Sequence, residues 1–168
     1  MAMAKYRVLI AYGSKAEFTQ AIAEEIAAAL REDGFDTEVR PAAEIVSVGP
    51  YDAVVLGGEL HGNRWHRDAR RFARRHSAQL RSRPVWAFSG GTPDASEGDG
   101  SDVPPVPGAR RAMDRAGAHG HITVGGRPDR LPRGLFTRST AAEDFPDDHR
   151  TMTRVRDWAH HIANEVRH

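Results

Sequence analysis

The sequence predicts an α/β fold in which a five-stranded parallel sheet is covered by helices on both faces. Three observations predict it. Short apolar runs alternate with amphipathic helical patterns along the chain, the first run is apolar at every position, and it passes through a small-polar turn directly into a helix.

Val8, Leu9, Ile10 and Ala11 make the first strand, a continuous apolar run of the kind that is covered on both faces. Phe18, Ile22, Ile26 and Leu30, spaced four apart, give the first helix its apolar stripe, and Gly34 follows as a stop. Phe35 to Arg40 alternates apolar and polar residues and reads as an edge strand ended by Pro41. Tyr51 to Gly58, YDAVVLGG, reads as the third and central strand, Pro84 to Ser89, PVWAFS, as the fourth, and His121 to Val124, HITV, as the fifth. Helical patterns lie between them at about Trp65 to Leu80 and around Ala109 to Ala116, with a terminal one from about His149 to Val166. In the last of these Met152, Val155, Trp158, Ile162 and Val166 form a core-facing stripe, which makes Trp158 a packing residue. With right-handed crossovers, these strands suit the spatial order 2-1-3-4-5, whose ligand site lies beside strands one and three. There is no internal repeat, and residues 1–168 read as a single domain.

Composition narrows the function. A net charge of +1 gives no reason to expect a nucleic-acid partner. The absence of cysteine excludes disulfides, thiolate metal sites and iron–sulfur clusters from this chain. No apolar run approaches the ~20 residues needed to span a bilayer, and MAMAKYRVLI enters the first strand without a signal-peptide core, so a cytoplasmic protein is expected. Two irregular stretches stand out. Residues 90–108 form a long loop rich in Gly, Pro, Ser and Asp after the fourth strand, and residues 125–147 read as a surface wrap.

The turn after the first strand contains Ser14, Lys15, Ala16, Glu17, Phe18 and Thr19. It is neither G-x-x-x-x-G-K-[ST] nor G-x-G-x-x-G, which removes most support for ATP or NAD. A hydroxyl at its mouth and another five positions on resembles the S/T-x-x-G-x-T phosphate loop of flavodoxins, in which backbone N–H groups and short hydroxyls hold the phosphate of FMN. The resemblance implies a flavodoxin-like three-layer sandwich. Glu17 stands at the family's glycine, and Ser14-Lys15-Ala16-Glu17 also has the S-x-x-E form of a capping box. On the first reading the loop holds a phosphate; on the second it is closed by its own side chains, with the Glu17 carboxylate where the phosphate would sit.

The run YDAVVLGGELHGNRWHRDARRFARRHSAQLRSRPVWAFSGG, followed by GHITVGGR and DFPDDHRTMTRVRDWAHHIANEV, resembles actinobacterial flavodoxin-domain proteins related to menaquinone-dependent protoporphyrinogen oxidase. That resemblance implies FMN as cofactor and an electron-transfer protein or oxidoreductase, with a redox protein or a quinone as partner. It implies that Ser14, Lys15 and Thr19 hold the phosphate. It places Gly58, Glu59, Leu60, His61, Gly62, Asn63, Arg64 and Trp65 on one side of the isoalloxazine, and Ser89, Gly90, Gly91 and Thr92 on the other. His61 stands where the family has an aromatic residue and Glu59 where it has a small one, and Asp94, Glu97, Asp99 and Asp102 add further negative charge in the third loop. Electron transfer by a flavin needs no side-chain acid or base, so no catalytic residue is expected.

Other groupings have plainer readings. Arg67, Arg70, Arg71, Arg74 and Arg75 share one side of the helix after Trp65; such a face can touch anionic lipid or an acidic redox partner, and reads first as a solvated surface. Glu59, His61 and His66, spaced E-x-H-x4-H, match no familiar metal site, and no metal is expected. The competing functional expectation is a cofactor-free relative that keeps the fold and binds another ligand or a protein in its altered cleft.

Overall fold

The computed structural model describes residues 6–61, 64–91, 104–125 and 146–167. Its sheet is built from β1 (Arg7–Gly13), β2 (Asp36–Pro41), β3 (Ala53–His61), β5 (Val85–Gly90) and β6 (Gly120–Val124), with a two-residue strand β4 (Arg64–Trp65) beside β3. The order is β2-β1-β3-β5-β6 and every neighbour on that path is parallel, while β4 pairs antiparallel with β3. Leaving the short β4 aside, this is the expected 2-1-3-4-5 order. The chain reverses direction of winding between β1 and β3, and the crevice beyond their carboxyl ends is where such a sheet takes its ligand.

Both faces of the sheet are covered, which is why its strands are apolar at successive positions. Val8, Ile10, Val55, Trp86 and Phe88 pack under α1 (Glu17–Glu32) and α5 (Pro146–Arg167), against Ile22, Ile26, Leu30, Val155 and Ile162. Leu9, Ala11, Val54, Leu56 and Val85 pack under α2 (Arg67–Arg75), α3 (Ser77–Arg81) and α4 (Pro107–Ala116), against Phe72, Leu80 and Ala109. α4 starts on a proline and stops at Gly117, whose φ of 70° suits the left-handed turn that ends a helix.

Three boundaries differ from expectation. The helix expected over Trp65–Leu80 is two helices with a break at His76, a buried residue whose ring lies 4.8 Å from Phe72. Trp65, Ala69, Phe72, His76 and Leu80, which fall at helical spacing in the sequence, are nevertheless all buried, because the two segments lie along one path over the sheet. Trp65 is in β4, not in a helix. The central strand starts two residues later than its apolar run and continues to His61, because beyond the end of β1 it is still held by β5 on one side and by β4. Gly57 and Gly58 on this strand each lie under an aromatic ring. A Cβ at Gly57 would come 2.0 Å from Phe88 Cζ, and one at Gly58 would come 2.4 Å from Trp65 Cε2.

The outer helices are joined by ions. Arg156 on α5 donates to Glu25 at 2.5 Å and to Glu32 on α1, and His160 Nδ1 lies 2.6 Å from Asp33. These groups are partly exposed, so Arg156→Ala is expected to lower the unfolding free energy by only about 1 kcal/mol, a difference that shrinks in high salt. Urea melts at low and high ionic strength check both the size and the salt dependence.

Candidate functional site

The site is shaped by unequal strand lengths. The last β1–β3 pair is Gly13 with Gly58, and β3 continues for three further residues. Glu59 is the first of them. Its backbone is fixed by pairing with Gly90 of β5 and by its carbonyl, which accepts from the His66 N–H at 2.9 Å. From there the side chain overhangs the β1–α1 turn. Its Oε1 accepts from the Ser14 hydroxyl at 2.9 Å and from the Lys15 backbone N–H at 3.1 Å. The Glu59 side chain is 17% exposed, and His61 Nε2 lies 3.6 Å from its other oxygen, on a ring that faces solvent.

This corrects the capping-box reading. The N-cap of α1 is Ala16, and no side chain caps the helix. Ser14 Oγ accepts from the Ala16 N–H at 2.8 Å instead of from that of Glu17, and Glu17 is exposed. Ser14 lies two residues before the cap, and its proton goes to a carboxylate from across the sheet because a charged acceptor makes the stronger bond. The turn is therefore occupied by an anion, but the anion is Glu59. The first-turn amides of Glu17, Phe18 and Thr19 have no acceptor among the described residues.

The other expected site residues divide into those the fold brings together and those it buries. Thr19 is buried, with its hydroxyl unpartnered, and it lies against Gly90, where a Cβ would approach Thr19 Oγ1 to 2.7 Å. Gly91 holds a φ of 123°, a conformation open to glycine, and turns the chain over Leu60. These contacts bring the first, second and third loops to one place at the carboxyl ends of β1, β3 and β5. Ser89 is buried and its hydroxyl lies 2.9 Å from His121 Nε2 in β6, so it anchors two strands. Trp65 is 1% exposed, packed on Gly58 within the core, and as placed presents no face to a ligand; Arg64 is exposed. Gly62, Asn63 and Thr92, with Asp94, Glu97, Asp99 and Asp102, lie outside the described residues.

His66 has a structural role that its sequence context did not reveal. Its Nδ1 accepts from the Asp68 N–H at 3.1 Å and caps α2. Among the described residues no three His, Cys, Asp or Glu side chains are grouped as metal ligands, and no helix is long and apolar enough to cross a membrane. The exposed arginines of α2 make no ion pair among the described residues apart from their own helix and turn contacts, such as Arg70 Nε to the Trp65 carbonyl at 3.0 Å.

A sequence profile of the flavodoxin domain matches residues 9–116. No curated protein sequence matches the chain. Among solved structures, a flavodoxin from the Archaea superposes with a TM-score of 0.65 at 14% identity, over 96% of this chain and 99% of that one. Oxidised flavodoxin 2 from Bacillus cereus gives 0.62 at 18% identity, over 95% and 99%. Two-electron reduced Megasphaera elsdenii flavodoxin gives 0.56 at 24% identity, over 74% and 90%. At these identities the structural likeness is one of fold, and the family assignment rests on the sequence profile, which covers most of the sheet and both helical layers. The chain belongs to the flavodoxin domain family.

Proposed function

We propose that the chain binds FMN at the carboxyl ends of β1, β3 and β5 and acts as an electron-transfer flavoprotein. The observation that carries this reading is the anion already held by the β1–α1 turn. A carboxylate accepting from Ser14 Oγ and Lys15 N–H stands in for phosphate oxygens, at the foot of a helix with no side-chain cap, beside the switch point of the sheet. The donor set thus has the chemistry of a phosphate site, and in this chain the Glu59 carboxylate occupies it. Leu60, His61 and Gly91 line the place for the isoalloxazine, and Ser89 fixes the third loop through His121. The flavin supplies the redox chemistry when bound; the residues present hold it, orient it and govern its exposure to water.

The finer reading, implied by the resemblance over nearly the whole chain, is a single-domain cytoplasmic oxidoreductase that draws electrons from a porphyrinogen and passes them to a quinone or a redox protein. The second reading is a relative that binds no flavin. The engagement of Ser14 and Lys15 by Glu59 favours it, since those donors are in use. Titrating the purified apo-protein with FMN separates the two. Saturable quenching of flavin fluorescence with a dissociation constant in the micromolar range is expected; no saturation by about 1 mM FMN would leave the cofactor-free reading standing.

A further inference from the structure

We infer that Glu59 is an internal substitute for the ligand's phosphate, so that the wild-type site draws almost no affinity from a terminal phosphate group. The ligand in this inference is the flavin of the proposed function, but the geometry that carries it is independent of that reading. Two donors of the turn, the Ser14 hydroxyl and the Lys15 amide, both point at one carboxylate oxygen. That oxygen belongs to a residue 45 positions away in sequence, held by strand pairing and by the His66 amide. A phosphate entering the turn has to break two charge-assisted bonds before making its own. It also brings about two negative charges to within a few ångströms of a third. A flavin without a phosphate meets neither obstacle.

The geometry also says why the substitution is tolerated by the fold. Glu59 is on the overhang of β3, beyond the last pair with β1, and its side chain, unlike that of Leu60 beside it, is no part of either core. Removing the carboxylate leaves Ser14 with its Ala16 contact and the first-turn amides free.

The test uses wild type, Glu59→Ala and Glu59→Gln as purified apo-proteins. Each is titrated with FMN and with riboflavin, and each is melted with inorganic phosphate against sodium chloride of equal ionic strength. Wild type is expected to bind the two flavins within about threefold of each other and to melt at the same temperature in both salts. Glu59→Ala is expected to bind FMN at least about tenfold more tightly than riboflavin and to melt higher in phosphate, with Glu59→Gln between, since the amide keeps the shape and loses the charge. A wild type that prefers FMN by about tenfold, or that phosphate stabilises as much as the alanine variant, overturns the inference. If none of the three binds a flavin while phosphate stabilises the alanine variant alone, the flavin reading falls and the role of Glu59 stands. If phosphate does not distinguish the variants, the role of Glu59 falls whether or not a flavin binds.

Discussion

Replacing Trp65 by alanine is expected to lower the unfolding free energy by about 3–5 kcal/mol, the range for deleting a buried aromatic side chain. The ring is 1% exposed and lies against Gly58, with the Trp65 Cβ and backbone N facing Gly108 at the start of α4, so its loss opens a void between β3 and the α2–α4 layer. Neither glycine has a side chain with which to fill it. For a chain of this size that loss corresponds to a fall in melting temperature of about 10 °C. Trp65→Phe is expected to lose less than half as much. It keeps most of the apolar area and removes an indole N–H that is buried without an acceptor. Urea melts of both variants check this, and a loss of under about 1 kcal/mol for the alanine variant would be incompatible with a ring in the core.

The second large effect is on acid stability. Burial pulls the His121 imidazole down to about 4 from its ordinary 6.5, and the charge of Arg110 adds to the shift. Between those two pH values the unfolded chain binds a proton that the folded chain does not. Stability is then greatest above pH 6.5 and falls as the pH drops toward 4, by up to about 3 kcal/mol at about 1.4 kcal/mol per pKa unit. Protonation makes both ring nitrogens donors, so the Ser89 hydroxyl, 2.9 Å from Nε2 in the contact that ties β5 to β6, can then only accept from the ring. His121→Gln is expected to flatten the profile across this window while keeping a polar partner for Ser89. Burial and Arg75 also lower His76, so a smaller slope remains in the variant. The Glu38 carboxyl is held below its ordinary range, first by the hydrogen bond from Tyr51, so the stability it contributes is lost only as the pH falls through that depressed value. Urea midpoints measured at intervals from pH 7.5 to 4.5 separate these contributions.

The sheet was legible because burial on both faces writes itself into consecutive apolar residues, as in Val8 to Ala11 and Val54 to Leu56. The break at His76 was not legible for a related reason. A helical stripe records which residues are buried, and Trp65, Ala69, Phe72, His76 and Leu80 are all buried even though the backbone beneath them is a strand, a helix, a break and a second helix. The turn after β1 was legible as an anion site and misread in detail. Local spacing selects Glu17 as the partner of Ser14, since a capping box is a four-residue pattern. The carboxylate that reaches Ser14 arrives from another strand, and nothing within four residues of Ser14 encodes it. The available signal was an acid placed directly after the apolar run of the central strand, Glu59 following Gly58, at the point where the resemblance expected a small residue. Thr19 has the spacing of a phosphate ligand, and what spacing could not show is its environment: the side chain is buried against Gly90 with its hydroxyl unpartnered.

The three residues by which β3 outruns β1 have a consequence for how such a protein changes over time. Glu59, at the start of the overhang, shares the rigidity of the most enclosed strand in the molecule, yet its side chain, unlike that of the next residue Leu60, is outside both hydrophobic layers. Substitutions there can alter the charge presented to the neighbouring turn at little cost to folding. The choice between admitting and refusing an anionic ligand can then be rewritten by a single codon, leaving the scaffold and its melting behaviour almost as they were.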